Sequence, residues 1–85
     1  MDSNVLNIVK QVLNPVVLGL VDNPDAVRIE YLCGSRSMLV EVEACPDDRR
    51  HLIGREGRTA QAMRTIMRTL CAKYGMSFEL KIIEN

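Results

Sequence analysis

The 85-residue sequence has no tryptophan, one phenylalanine (Phe78) and two tyrosines (Tyr31 and Tyr74). A row of exposed rings for stacking bases is therefore excluded as the main binding device. His51 is the only histidine. No nucleophile stands beside a base, and no carboxylate pair sits in an apolar setting, so no catalytic activity is expected. Cys33, Cys45 and Cys71 are odd in number and far apart, with no CxxC spacing. That excludes a thiolate metal site and a disulfide framework. They read as reduced, packing thiols in a cytosolic protein. No metal and no cofactor is expected. The run from Val5 to Val21 is apolar, but Asn7, Lys10, Gln11, Asn14 and Pro15 interrupt it. A membrane-spanning helix is not expected there, and no signal peptide is read.

Net charge is formally zero, yet the charges are unevenly placed. From Arg49 to Lys73 seven basic residues face one acidic residue, Glu56, a net of +6. The remainder holds four basic and ten acidic residues, a net of −6. A neutral chain with one basic segment can still attract a polyanion locally. The length fits one small domain, taken as residues 1–85.

The apolar pattern gives the elements. Asp2, Ser3 and Asn4 offer capping side chains ahead of a helix over about residues 4–21, in which Pro15 predicts a kink or break near Asn14. Val27, Ile29 and Tyr31 alternate with polar residues, as do Met38, Val40 and Val42. That predicts an antiparallel hairpin over about 27–44 with one wet, acidic face. Pro46 opens a short helix ending at Gly54, and Asp47 and Asp48 complement its dipole. A second helix runs from Thr59 to about Tyr74, with an apolar stripe of Ala60, Met63, Ile66, Met67, Leu70, Cys71 and Tyr74. Arg64 and Arg68 lie off that stripe and read as solvated charges, and Gly75 ends the helix. Met76, Phe78, Leu80 and Ile82 alternate in a last strand over about 76–83. The fold class is α+β, in the order α-β-β-α-α-β, with a three-stranded sheet whose one face carries the helices.

The helix–turn–helix over about 46–74 holds the most informative stretch, Ile53-Gly54-Arg55-Glu56-Gly57-Arg58. Two glycines permit positive φ and close approach of main chain to a ligand. Amides near Gly57, Arg58 and Thr59, at a helix start, point to a phosphate ligand. Arg55 and Arg58 add mobile positive charge, and Ile53 closes the apolar side. The plainer reading makes Gly54 a helix stop and Gly57 a tight turn.

With this order and this loop, the chain resembles a type II KH domain and is similar to the small bacterial proteins of the KhpA family. The residues that carry the likeness are Leu20 to Val27 and Leu52 to Arg64. The latter match the family run I-G-x-x-G-R-x-x-x-A-[ILM]-R. The resemblance implies a cytoplasmic, non-catalytic protein that clamps about four nucleotides of single-stranded RNA. An RNA chaperone or post-transcriptional regulator is the implied role. The implied binding residues are Ile53, Gly54, Arg55, Glu56, Gly57, Arg58 and Gln61. Glu56 departs from a wholly basic loop. The resemblance also implies a homodimer and a larger partner that carries its own KH domain. The alternative function is a protein-docking module for which RNA contact is secondary.

Overall fold

The computed structural model describes residues 3–84. Helix α1 (Ser3–Leu20) is followed by a 3-10 turn (Pro24–Ala26), strand β1 (Arg28–Cys33) and strand β2 (Ser37–Glu43). Then come α2 (Pro46–Ile53), a 3-10 turn (Arg55–Gly57), α3 (Arg58–Ala72) and β3 (Ser77–Ile82). The expected order is observed. Asp2 lies outside the described residues, as does the side chain of Ser3, so the expected N-terminal cap is not described.

Helix α1 corrects the expectation of a break near Asn14. It continues through Pro15 without a break. The proline ring lies on the exposed side, as does Gln11, the residue whose carbonyl loses its donor. That carbonyl can turn to water, so the missing bond costs less than it would in a buried turn. The buried side of α1 is a single ridge of valine and leucine: Val5, Val9, Leu13, Val17 and, just beyond the helix, Val21. The four-residue spacing stacks these side chains on one face.

The sheet has the order β1-β2-β3. Strands β1 and β2 pair antiparallel, with Tyr31 opposite Val40 and Ile29 opposite Val42. Strand β3 pairs parallel to β2, with Leu80 opposite Val40. A parallel pair cannot be joined by a tight turn, so α2, the second 3-10 turn and α3 form the crossover. Met38, Val40, Val42, Phe78, Leu80 and Ile82 face the helices and are buried. The opposite face carries Glu30, Glu41, Glu43 and Glu79, with Arg28 and Lys81 among them. Its open hollow of about 380 Å³ is lined by Arg28, Ile29, Glu30, Glu41, Glu43 and Ile83. Three carboxylates make it a poor seat for a polyanion.

Helix α3 buries Ala60, Met63, Met67 and Cys71. Ile66, expected in that stripe, points outward and is 59% exposed. Tyr74, also expected there, lies past the helix end and is exposed. Gly75 takes φ +74°, and the Met76 amide donates to the Cys71 carbonyl at 3.0 Å. This closes α3 as a glycine-terminated helix end. Of the three thiols, only Cys71 is buried, and burial pushes its pKa up. Cys33 is exposed at a strand end, against the expectation that all three pack.

Two polar ties hold α1 and α2 in place. The Tyr31 hydroxyl bonds to Asn14 Oδ1, and the Lys10 ammonium lies 5.3 Å from the Tyr31 ring centre. Burial pushes the Tyr31 pKa up to about 12, so this tie persists through the physiological range. Asp48 makes the second tie. Its Oδ1 accepts the Asp22 amide and its Oδ2 the Asn23 amide, each at 2.9 Å. The Cys45 thiol adds a contact at 3.4 Å. The Asp22 amide, then the Asn23 amide, the Cys45 thiol and nearby His51 hold this carboxyl below its ordinary pKa, against desolvation that raises it.

A group with a depressed folded pKa stabilises the fold fully above its unfolded value of about 4, and that contribution is lost as pH falls from there through the lower folded value. Asp48→Asn is therefore expected to melt at lower temperature than the parent at pH 7. The gap should close as the pH is taken down below about 4, in thermal melts followed by circular dichroism across pH.

Candidate nucleic-acid interface

The loop between α2 and α3 is built by three successive backbone constraints. Pro46, at the first position of α2, starts the helix, and Leu52 anchors it in the core. Gly54 stops it at φ +80°, ψ 171°, a region open essentially to glycine alone. A Cβ on Gly54 would also lie 2.1 Å from Thr59 Oγ1 and 2.7 Å from the Thr59 nitrogen. Thus Gly54 is required both by its dihedral angles and by the seating of α3 against it.

Glu56 (φ 57°, ψ 26°) and Gly57 (φ 76°, ψ 11°) are both left-handed. The Arg58 amide donates back to the Arg55 carbonyl, which closes a type I′ turn. The Gly57 amide donates to the Gly54 carbonyl at 3.1 Å. These two bonds correct the sequence reading of where bare amides lie. Gly57 and Arg58 have spent theirs inside the turn. The amides of Arg55 and Glu56 have no backbone acceptor among the described residues. A Cβ on Gly57 would meet nothing within 4 Å, so the space beside the turn is open.

The named site residues come together on this turn. Arg55, Glu56 and Arg58 are exposed, while Ile53, Gly54 and Gly57 are half-buried. Ile53 packs at the margin of the core. Arg58 Nη2 lies 3.1 Å from Glu56 Oε1, with both side chains more than two-thirds exposed. Arg55 has no ion-pair partner among the described residues. Gln61 stands one turn into α3, and its Oε1 accepts Arg64 Nη1 at 3.3 Å. On α2, one turn before Ile53, Arg49 has its Nε buried without a hydrogen-bond partner.

The two arginines further along α3 are not the free solvated charges the sequence reading expects. Arg64 Nε and Nη2 donate to the Leu80 carbonyl at 3.2 and 3.1 Å. Arg68 Nε donates to the Phe78 carbonyl at 3.4 Å, and its Nη2 pairs with Glu79 at 2.9 Å. These carbonyls belong to the free edge of β3, since Ser77 and Ile83 turn their amides the other way, toward Arg36 and Val42. The sequence held one signal for this. Gln61, Arg64 and Arg68 recur at three- and four-residue spacing and so share a helix face. Which strand that face meets is a tertiary fact.

An α-β-β-α-α-β order with an IGxxGR turn between the last two helices is consistent with a type II KH fold. The family model described as KhpA/KhpB, KH domain, matches residues 10–82, and the chain belongs to that family. Among its relatives is the RNA-binding protein KhpA of Clostridium acetobutylicum, 34% identical over 74 residues, 87% of this chain and 99% of the relative. That of Caldanaerobacter subterraneus is 36% identical over 63 residues, covering 74% and 84%. That of Mycobacterium tuberculosis is 45% identical over 60 residues, covering 71% and 75%. No solved structure matches.

The two glycines should respond differently to alanine. Gly57→Ala is expected to cost about 1–2 kcal/mol, the left-handed penalty alone. Gly54→Ala adds the collision with Thr59 and should cost about 3 kcal/mol or more. Urea unfolding of the two variants beside the parent measures this ordering.

Proposed function

We propose that the chain is a non-catalytic RNA-binding protein that holds single-stranded RNA against the Gly54-Arg55-Glu56-Gly57 turn. It acts in the cytoplasm as an RNA chaperone or post-transcriptional regulator. The observation that carries this reading is the turn itself. It is exposed, it offers the Arg55 and Glu56 amides, and it sets the unpaired Arg55 guanidinium beside them. Glycine at positions 54 and 57 lets a phosphodiester approach main chain, and α3 begins directly behind with its positive dipole end. Ile53 supplies the apolar wall, and Arg58 and Gln61 flank the path. The relatives named as RNA-binding proteins support the ligand class.

A protein-docking role has its own observation. Val12, Leu13 and Val16 of α1 and Met63, Ile66 and Met67 of α3 line an apolar groove. Val12, Val16 and Ile66 are exposed there. This face would take a second copy or a larger partner that carries its own KH domain.

The RNA reading is tested by changing Arg55 and Glu56 together to aspartate. Binding of a labelled single-stranded RNA, followed by anisotropy, should weaken by about tenfold or more at low salt, with the circular dichroism spectrum unchanged. Parent-like binding by that variant would remove the loop from the site. The docking reading is tested with Ile66→Arg, since Met63 is buried and its replacement would disturb the core. A shift to the monomer in sedimentation velocity, with RNA affinity per chain unchanged, is the expected result.

A further inference from the structure

We propose that Arg64 is a second phosphate anchor, holding the RNA backbone one stretch beyond the loop. This rests on the RNA reading above and extends it to a side chain outside the glycine turn. Three of the five guanidinium N–H groups of Arg64 are spent, two on the Leu80 carbonyl and one on Gln61 Oε1. One N–H on Nη1 and one on Nη2 remain. Two donors on adjacent nitrogens form the fork that fits two oxygens of a phosphate.

Every acceptor that Arg64 uses is neutral. Among the described residues no carboxylate lies within ion-pair distance of it. The side chain is half-buried, so its charge is partly stripped of water and still uncompensated. Such a cation gains more from an anion than a fully hydrated one does, and it is already held in place. The other arginines of this face differ. Arg58 is paired with Glu56 and Arg68 with Glu79. Among the arginines of α3, Arg64 alone combines a fixed geometry with an unanswered charge.

Its place suits a continuing strand. Arg64 follows Gly57 by seven residues of helix, about 10 Å along the axis at 1.5 Å per residue. That is within the span of the short run of nucleotides a KH domain holds. Gln61 lies between the two points and is bonded to Arg64. The loop amides and the Arg64 fork would thus hold two separated phosphates of one strand.

The test compares four proteins binding a labelled oligouridylate over a range of salt: the parent, Arg64→Gln, Arg64→Lys and Arg68→Gln. Each neutralised single-strand phosphate contributes about 0.7 to the slope of log K against log salt. Arg64→Gln should lower the slope by about 0.7, weakening binding about eightfold at 50 mM salt and about threefold at 200 mM. Arg64→Lys should keep the slope. Arg68→Gln removes an edge cap of the same kind but an already paired charge, and should leave the slope unchanged. A purely structural role for Arg64 would alter the melting temperature without this difference between the two glutamine variants.

An unchanged slope in Arg64→Gln overturns the assignment, as does an equal change in Arg68→Gln. A loss that depends on base identity at constant slope, measured with oligocytidylate and oligoadenylate, also overturns it and marks a base contact. Absence of binding by the parent would overturn the RNA reading itself. Parent binding that the double aspartate loop variant loses, with Arg64→Gln slope unchanged, removes only the Arg64 anchor.

Discussion

The Asp48 carboxylate is the interaction on which the position of the loop depends. It is the one buried charged residue among those described, 1% exposed. An isolated buried carboxylate is costly, and this one is made tolerable by two amide hydrogen bonds and a thiol contact. Those amides belong to residues more than twenty positions earlier, at the exit of α1. Helix α2 is too short to form alone and buries only Asp48 and Leu52. Its orientation is therefore set by one polar tie at its start and one leucine near its end. Asp22, Asp48 and His51 place donor atoms within 4.8 Å of one another. Each Asp48 oxygen already accepts an amide, so the group reads as a staple that joins two chain segments.

The crossover from β2 to β3 explains why the loop and the sheet edge are coupled. A parallel connection must leave the sheet, pass over it and return. Residues 54–57 are the corner of that path, where α2 ends and α3 turns back. The same path leaves β3 as an edge strand with outward carbonyls at Phe78 and Leu80. Unprotected edges invite pairing with other chains, and charge placed over them discourages it. Helix α3 supplies that charge through Arg64 and Arg68 while Met63, Met67 and Cys71 fill the core. One helix thus closes the core, guards the edge and begins at the loop.

Much of this was legible in the residues. Alternation in Val27 to Tyr31, Met38 to Val42 and Phe78 to Ile82 reports burial of one sheet face, a local property with a period of two. Gly54 and Gly57 announce a turn because few other residues reach those angles. Pro15 misled because the rule against proline assumes that the freed carbonyl is buried, and at Gln11 it faces water. Ile66 misled because the face that α3 buries is confined to Ala60, Met63, Met67 and Cys71, and Ile66 lies beyond its edge. The roles of Asp48, Arg64 and Arg68 were not legible. Each acts on backbone groups ten to twenty-six residues away, and nothing local in the sequence encodes which carbonyl or amide will be near. The amides left free in the turn were misplaced for a related reason. Their use depends on left-handed geometry at Glu56, a position where a non-glycine residue is uncommon.

That geometry bears on how a neutral chain can hold a polyanion. Glu56 sits in a conformation that costs an L-residue about 1–2 kcal/mol, and its exposed pair with Arg58 returns about 0–1 kcal/mol. The turn nevertheless forms, because Gly54 and the start of α3 determine it from both sides. In this turn the Arg55 and Glu56 amides have no backbone acceptor among the described residues. Four of the eleven acidic residues, Glu30, Glu41, Glu43 and Glu79, lie on the outer sheet face, while the loop is carried by helices on the other. The molecule measures 35 by 25 by 22 Å, and fields in physiological salt decay over about 8 Å. Charges on opposite sides of a molecule of that size are therefore largely screened from one another. Formal neutrality thus coexists with a locally basic segment, in which seven cations from Arg49 to Lys73 face the single acidic residue Glu56.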